Sequence, residues 1–331
     1  MRRLIAICCL ALGGVAGINS PSAAASGECP GNSDALGVSR VLTVRPGEFT
    51  RLGLIQYRDT LPLNDHEVVL TFDDGPIPPY STEVLNALDA QCVKATYFLV
   101  GAMAHAHPDL VRRIYNSGHT IGTHSEDHPY AFKRLPAQRV QQEVEEGIAS
   151  VDAALGDARG VAPFFRIPGF SASKEAEAFL ASKSLVTWSA DVVADDWFRH
   201  VTAKEIVRKA MQRLNKRGRG ILLLHDIHPA TAAAVPILLK ELKAAGYHVV
   251  QVVAAGERPL SVPDIAADHA RASGATSATR DPPRHKKTRA VGSAAHASHR
   301  AIIHRRKSVA LETERKRGFL DFFRFAGATQ P

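Results

Sequence analysis

Between Glu67 and Gly256 the chain alternates short apolar runs with longer amphipathic stretches, and this alternation restricts the fold more than any other feature. The runs EVVLTF, KATYFLV, HTIGTHS, FFRIPG, LVTWSAD, GILLLH and YHVVQVV are rich in β-branched and aromatic residues, the composition of strands. Helical stretches are predicted between and around them, near 81–91, 108–117, 136–155, 174–183, 202–217 and 232–245. In one of these, Val140, Val144, Ile148, Val151 and Leu155 recur at spacings of three and four and form a single apolar face. Strand–helix repetition predicts a parallel sheet or barrel. Strands apolar throughout predict a sheet covered on both faces.

The polar residues are not scattered. TFDDG, THSEDH, RIPG, SAD and LLHD each fall at the C-terminal end of a predicted strand, the end at which α/β folds build their sites. In EVVLTFDDGP the strand ends in two adjacent carboxylates, Asp73 and Asp74, whose burial requires a nearby cation or a shared proton. A solvated Asp-Asp-Gly turn is the plain alternative. In GTHSEDHP, His124 and His128 are four apart, so on a helical turn they share a face and can share an ion. Ser125 stands where a HExxH helix has its glutamate, and Pro129 stops any helix there, which argues against a metalloprotease of that kind. Arg166, in FFRIPG, is a positive group suited to facing the carboxylates. His225 closes a strongly apolar strand at the same rim, where general acid or base work is plausible.

Charge and cysteine usage divide the chain into segments. Residues 1–25 have a basic start, an apolar stretch and small residues ending near Ala25, the pattern of a cleaved secretory signal. Cys8 and Cys9 leave with it, so Cys29 and Cys92 form an even pair in an exported protein and are expected to be disulfide-bonded. The formal net charge of the chain is +8, but from Arg258 onward 15 Lys/Arg oppose six Asp/Glu, leaving residues 1–257 at −1. The basic character belongs to a low-complexity tail, 258–331, which reads as disordered. Its terminal RKRGFLDFFRFAG suits a membrane surface or an anionic envelope polymer. Export argues against nucleic acid as its partner. The remaining segments are 26–66, tied on by the disulfide, and a catalytic domain at 67–257.

TFDDGP, HSEDHP, RIPG and LLLHD, in this order, resemble four motifs of the polysaccharide deacetylases of carbohydrate esterase family four, which include the nodulation-type chitooligosaccharide deacetylases. The resemblance runs from about Glu67 to Ala255. It implies a distorted (β/α) barrel, TIM-like, of seven or eight strands in a single catalytic domain. By the same resemblance Asp73 is the catalytic base, Asp74, His124 and His128 bind one divalent metal, Arg166 orients the base and His225 is the general acid. Leu223 lines a pocket for the acetyl methyl, Gly169 offers a backbone N–H, and Trp197 contacts substrate. Zinc suits the Asp-His-His set, with cobalt or nickel as alternatives.

Two motifs depart from the family pattern. The aromatic that usually precedes the third-motif glycine instead follows it, as Phe170 after Gly169. The fourth motif is stretched, Asp191 being followed by VVA and then Asp195, Asp196 and Trp197, which leaves Asp191, Asp195 and Asp196 open as the partner of His225. The implied activity is removal of N-acetyl groups, with release of acetate, from peptidoglycan or chitooligosaccharide outside the cytoplasmic membrane. A catalytically silent glycan-binding protein and an O-acetyl esterase on a wall polymer are the alternatives.

Overall fold

In the computed structural model the residues described are 29–156 and 160–256; the expected signal segment and basic tail lie outside them. The strands in chain order are β1 (Arg40–Val44), β2 (Arg51–Leu52), β3 (Glu67–Asp73), β4 (Thr96–Leu99), β5 (Thr120–Thr123), β6 (Phe164–Arg166), β7 (Val186–Trp188), β8 (Val192–Val193), β9 (Gly220–His225) and β10 (His248–Ala254). The helices are α1 (Tyr80–Ala90), α2 (Gly101–Ala106), α3 (Pro108–Asn116), α4 (Ala137–Leu155), α5 (Lys174–Ser182), α6 (Ala203–Arg217) and α7 (Pro229–Ala244). All seven predicted strands are present. Three more, β1, β2 and β8, bring the described total to ten rather than seven or eight. Two of those have only two residues each, too short to leave a periodic pattern.

Every named strand pairing is parallel, and the barrel is visibly distorted. From β3 the ladder runs through β4, β5 and β6 to β7 on one side, and through β9 to β8 on the other. Because β7 ends at Trp188 and β8 begins at Val192, the ring closes along the chain itself, one bent segment serving both β6 and β9. β10 meets β3 only at Glu67 and Val68, and β4 takes over the pairing at Thr71. β1 extends β10, and β2 lies on β7, so the segment before Glu67 contributes to the sheet.

Alternation along each strand divides the apolar residues between two cores. Val69, Phe98, Phe164, Trp188, Ile221 and Val250 pack together inside, with Leu52 and Val44 from the N-terminal segment. Their neighbours Val68, Leu70, Phe72, Leu222 and Leu224 face outward under α1, α3, α6 and α7. A third cluster joins Phe165 and Ile167 to α4 and α5. Burial on both faces is why these strands read as unbroken apolar runs. The inward positions at the C-terminal ends are reserved for polar side chains, and these make the site.

Candidate metal and catalytic site

The site grows out of the register of β3 and β9. Asp73 and His225 are directly paired positions at the ends of adjacent parallel strands. Period-two alternation carries the inner face from Val69 through Thr71 to Asp73, so the carboxylate enters the barrel mouth above a tightly packed core. Arg166, last residue of β6, is fully buried and meets it there. Its Nη1 donates to Asp73 Oδ1 at 2.6 Å and to Thr71 Oγ1 at 2.9 Å, while Nη2 donates to the Ser189 carbonyl at 2.8 Å. The guanidinium carbon stands 4.2 Å from the Phe98 ring centroid, a cation–π contact that supports the buried charge. Burial pushes the Asp73 carboxyl up to about 6, and Arg166 opposes that rise.

Asp74 turns the other way. Its φ of +76° is rare outside glycine, and it directs the side chain toward two histidines on the loop after β5. His124 Nε2 lies 3.4 Å and His128 Nε2 3.3 Å from Asp74 Oδ1, which is buried and without a hydrogen-bond partner. One ligand atom from each residue falls within 4.8 Å of the others. His124 Nδ1 is engaged with the Arg166 carbonyl at 2.6 Å, which leaves Nε2 with its lone pair toward Asp74. Burial depresses both imidazoles, His124 to about 3, so both are neutral. Burial alone raises Asp74, but its contacts with His128 and His124 and the positive charge of His225 outweigh it and hold the carboxylate below its usual range. Two neutral imidazoles and an ionised, otherwise unpaired carboxylate are the donor set of a divalent cation of the zinc class, and the residues fit one.

The histidine pair is not on a helical turn. Residues 124–130 form no helix, and Ser125 and His128 adopt φ of +67° and +51°. The left-handed residues bring the imidazoles together, with ring centroids 4.8 Å apart, through a tight loop instead of helical spacing.

Opposite this candidate cation site, His225 Nδ1 lies 2.8 Å from Asp196 Oδ1, and Asp196 Oδ2 accepts from the His225 backbone N–H and from Thr231 Oγ1, both at 2.7 Å. Burial works against the charged imidazole, but Asp196, Asp74 and Asp73 outweigh it and push His225 up to about 10. Of the three acids left open by the sequence, Asp196 is therefore the one beside His225. Asp191 accepts from the Leu54 N–H, Thr60 Oγ1 and the Ile221 N–H, binding the N-terminal segment to β9. Asp195 pairs with Arg213 and Lys209 of α6.

Of the remaining predicted residues, Leu223 and Trp197 lie beside His225. Leu223 is buried on β9, two positions before His225 on the same strand face. Trp197 is partly exposed and stands edge-on to His225, with centroids 5.5 Å apart. Gly169 lies at the surface with φ of +56°, followed by Phe170 at +53°, and the Phe170 carbonyl accepts from Gln56 Nε2 at 2.6 Å. Cys29 and Cys92 are joined, with Cα atoms 5.7 Å apart.

Sequence reasoning passed over Thr71, Ser189, Thr231 and Gln56, all of which hold site residues in place. Only Thr71 carried a signal, its position two before Asp73 on one strand.

Comparison with known proteins agrees with this geometry. Residues 61–187 match the family model described as polysaccharide deacetylase. A peptidoglycan-N-acetylglucosamine deacetylase of Bacillus cereus is 30% identical over 202 residues, covering 58% of this chain and 89% of that protein. The peptidoglycan-N-acetylglucosamine deacetylase PgdA of Listeria monocytogenes is 34% identical over 185 residues, 56% of this chain but only 38% of the relative, so the chain spans well under half of that protein. Among solved structures, a Bdellovibrio bacteriovorus peptidoglycan deacetylase superposes with a TM-score of 0.58 at 32% identity, covering 65% of this chain and 59% of the other. With the motifs, the barrel and these relatives in agreement, the chain belongs to the polysaccharide deacetylase family.

Proposed function

We propose that the protein is a metal-dependent hydrolase that removes N-acetyl groups from N-acetylglucosamine-containing cell-wall glycan, with peptidoglycan as the first substrate to test, and releases acetate. The observation that carries this reading is the meeting of three groups in one barrel mouth: a three-residue cation site, an arginine-held carboxylate and a carboxylate-held histidine. Asp74, His124 and His128 would hold the ion, zinc by donor type, with cobalt or nickel as substitutes. A cation bound there supplies Lewis acidity, polarising the amide carbonyl and easing loss of a proton from water.

The chain's own residues supply the proton transfers. Asp73, fixed by Arg166, accepts the proton as the water oxygen attacks the acetyl carbon. A backbone N–H at Gly169 stabilises the developing oxyanion, an interaction worth about 2.7–4 kcal/mol per donor where it is preorganised. His225 keeps Nδ1 on Asp196 and carries its other proton on Nε2. That proton passes to the sugar nitrogen as the C–N bond breaks, giving a free amine and acetate. Leu223 would line the methyl pocket and Trp197 the sugar-binding rim. The pattern at residues 1–25 and the Cys29–Cys92 bond support export, and the basic 258–331 segment is suited to an anionic envelope surface.

The test is acetate release from peptidoglycan and from an N-acetylglucosamine pentamer by the purified protein, before and after chelation, with metal add-back. Release abolished by chelator and restored by zinc supports the reading. No release from either substrate by zinc-loaded protein refutes it.

A further inference from the structure

The loop between the two histidine ligands cannot hold its own shape. Ser125 and His128 both lie at positive φ, a conformation that persists only where the surroundings over-determine it. Strand β5 ends at Thr123, so the peptide N–H groups of Glu126 and Asp127 have no ladder partner. Both donate to one atom, Oε2 of Glu143, at 3.1 and 3.0 Å.

Glu143 lies on α4, fully buried. Its second oxygen is 2.6 Å from Arg139 Nη2, and the same guanidinium nitrogen reaches Asp127 Oδ2 at 2.9 Å. One turn further along the helix, Gly147 lets α4 approach the loop: a Cβ there would stand 2.7 Å from the Ser125 carbonyl carbon and 3.0 Å from the Glu126 nitrogen. The Ser125 hydroxyl in turn accepts from the His128 N–H at 3.1 Å. A buried carboxylate and a glycine, four residues apart on one helix face, thus form a cradle that fits this loop and its two left-handed residues.

We propose that Glu143 is a positioning residue for the metal. By fixing the Glu126 and Asp127 peptides it sets the Nε2 atoms of His124 and His128 against Asp74, and so tunes cation affinity without touching the ion. The proposal rests on Asp74, His124 and His128 being a cation site; it is independent of which glycan is cleaved, and its test reads metal binding without substrate.

The experiment is a zinc competition titration on chelator-stripped full-length protein carrying Glu143→Gln, together with the visible spectrum of its cobalt form and the thermal midpoint of its apo form. The amide offers one oxygen, which can face the two N–H groups or Arg139 but not both. Zinc affinity is expected to fall about 10- to 100-fold, the usual effect of removing a group that orients metal ligands, with altered cobalt bands. Glu146→Gln, on the exposed side of the same helix, should bind zinc as the unaltered protein does. A folded Glu143→Gln protein with unchanged zinc affinity and cobalt spectrum, whatever its thermal midpoint, overturns the proposal. If Glu143→Gln does not fold, Gly147→Ala decides by the same titration. Weakened binding supports the cradle, and unchanged binding overturns it.

Discussion

Arg166 and Asp73 form an ion pair 2.6 Å long, with neither side chain more than 3% exposed. Such a pair is held by its partners more than by its charges, since desolvation offsets much of the attraction. Thr71, Ser189 and the Phe98 ring occupy the rest of the guanidinium's surroundings. Replacing Arg166 by Met should therefore cost about 3–5 kcal/mol of stability by leaving a carboxylate buried alone. Urea unfolding in chelator measures this. Arg166→Met combined with Asp73→Asn should recover much of the loss while remaining inactive; a double variant as unstable as the single one contradicts the account.

The proposed function gives the neighbours Asp73 and Asp74 separate tasks, and substitution should separate them. Asp73→Asn is expected to keep zinc bound and to lose turnover by at least about 100-fold, the scale of general-base catalysis. His128→Ala removes a cation ligand and should lose both zinc and turnover. Zinc content by elemental analysis, alongside acetate release, reads the two outcomes. Normal turnover in Asp73→Asn would falsify the base assignment.

The pH profile follows from the same groups. As the proposed base Asp73 acts only when ionised, so turnover should rise as pH passes its value of about 6. As the proposed acid His225 acts only when protonated, so turnover should fall as pH passes about 10. A bound cation lowers both values, moving each limb toward acid without inverting either. Asp196→Asn removes the carboxylate that most raises His225 and should shift the basic limb to lower pH while leaving the acidic limb nearly in place. Profiles of kcat/KM against pH decide this, and an unmoved basic limb means Asp196 does not tune the acid.

Cys29 and Cys92 close a loop with a sequence separation of 63, for which chain entropy alone gives about 4 kcal/mol. Cys92 precedes β4, at the strand ends opposite the site. Replacing both cysteines by serine should lower the unfolding free energy by about 2–4 kcal/mol and leave turnover at 25 °C close to unchanged. A parallel loss of activity in the folded variant would mean that the N-terminal tether also shapes the barrel mouth.

The alternation of β3 to β7, β9 and β10 with helices was legible because both faces of each central strand are buried, and hydrophobicity records burial directly. So was the clustering of Asp73, Asp74, His124, Arg166 and His225, since each ends a strand or directly follows one. What stayed hidden depended on loop geometry. Nothing in the spacing tells Asp191, Asp195 and Asp196 apart, because the choice is made by the turn after β8. The His124–His128 separation fits a helix as well as the left-handed loop that actually forms. Glu143 and Gly147 interleave with the apolar stripe of Val140, Val144 and Val151, and their packing against the loop after β5 shows only in the structure.

The closing of the barrel through the bent β7–β8 segment, with β1 and β2 added from before Glu67, bears on how this protein can be divided. Residues 61–187 match the family model, yet they lack β9 and β10, and with them His225 and the strand that neighbours Asp73. They lack also Leu52 and Val44, which fill the inner core from the other end of the chain. A graft or fusion cut at those limits would transplant the candidate cation site and leave His225, the proposed proton donor, behind. A module that keeps the whole sheet must carry β1 to β10, from Arg40 to Ala254, so the span of the family model is only part of what must travel together.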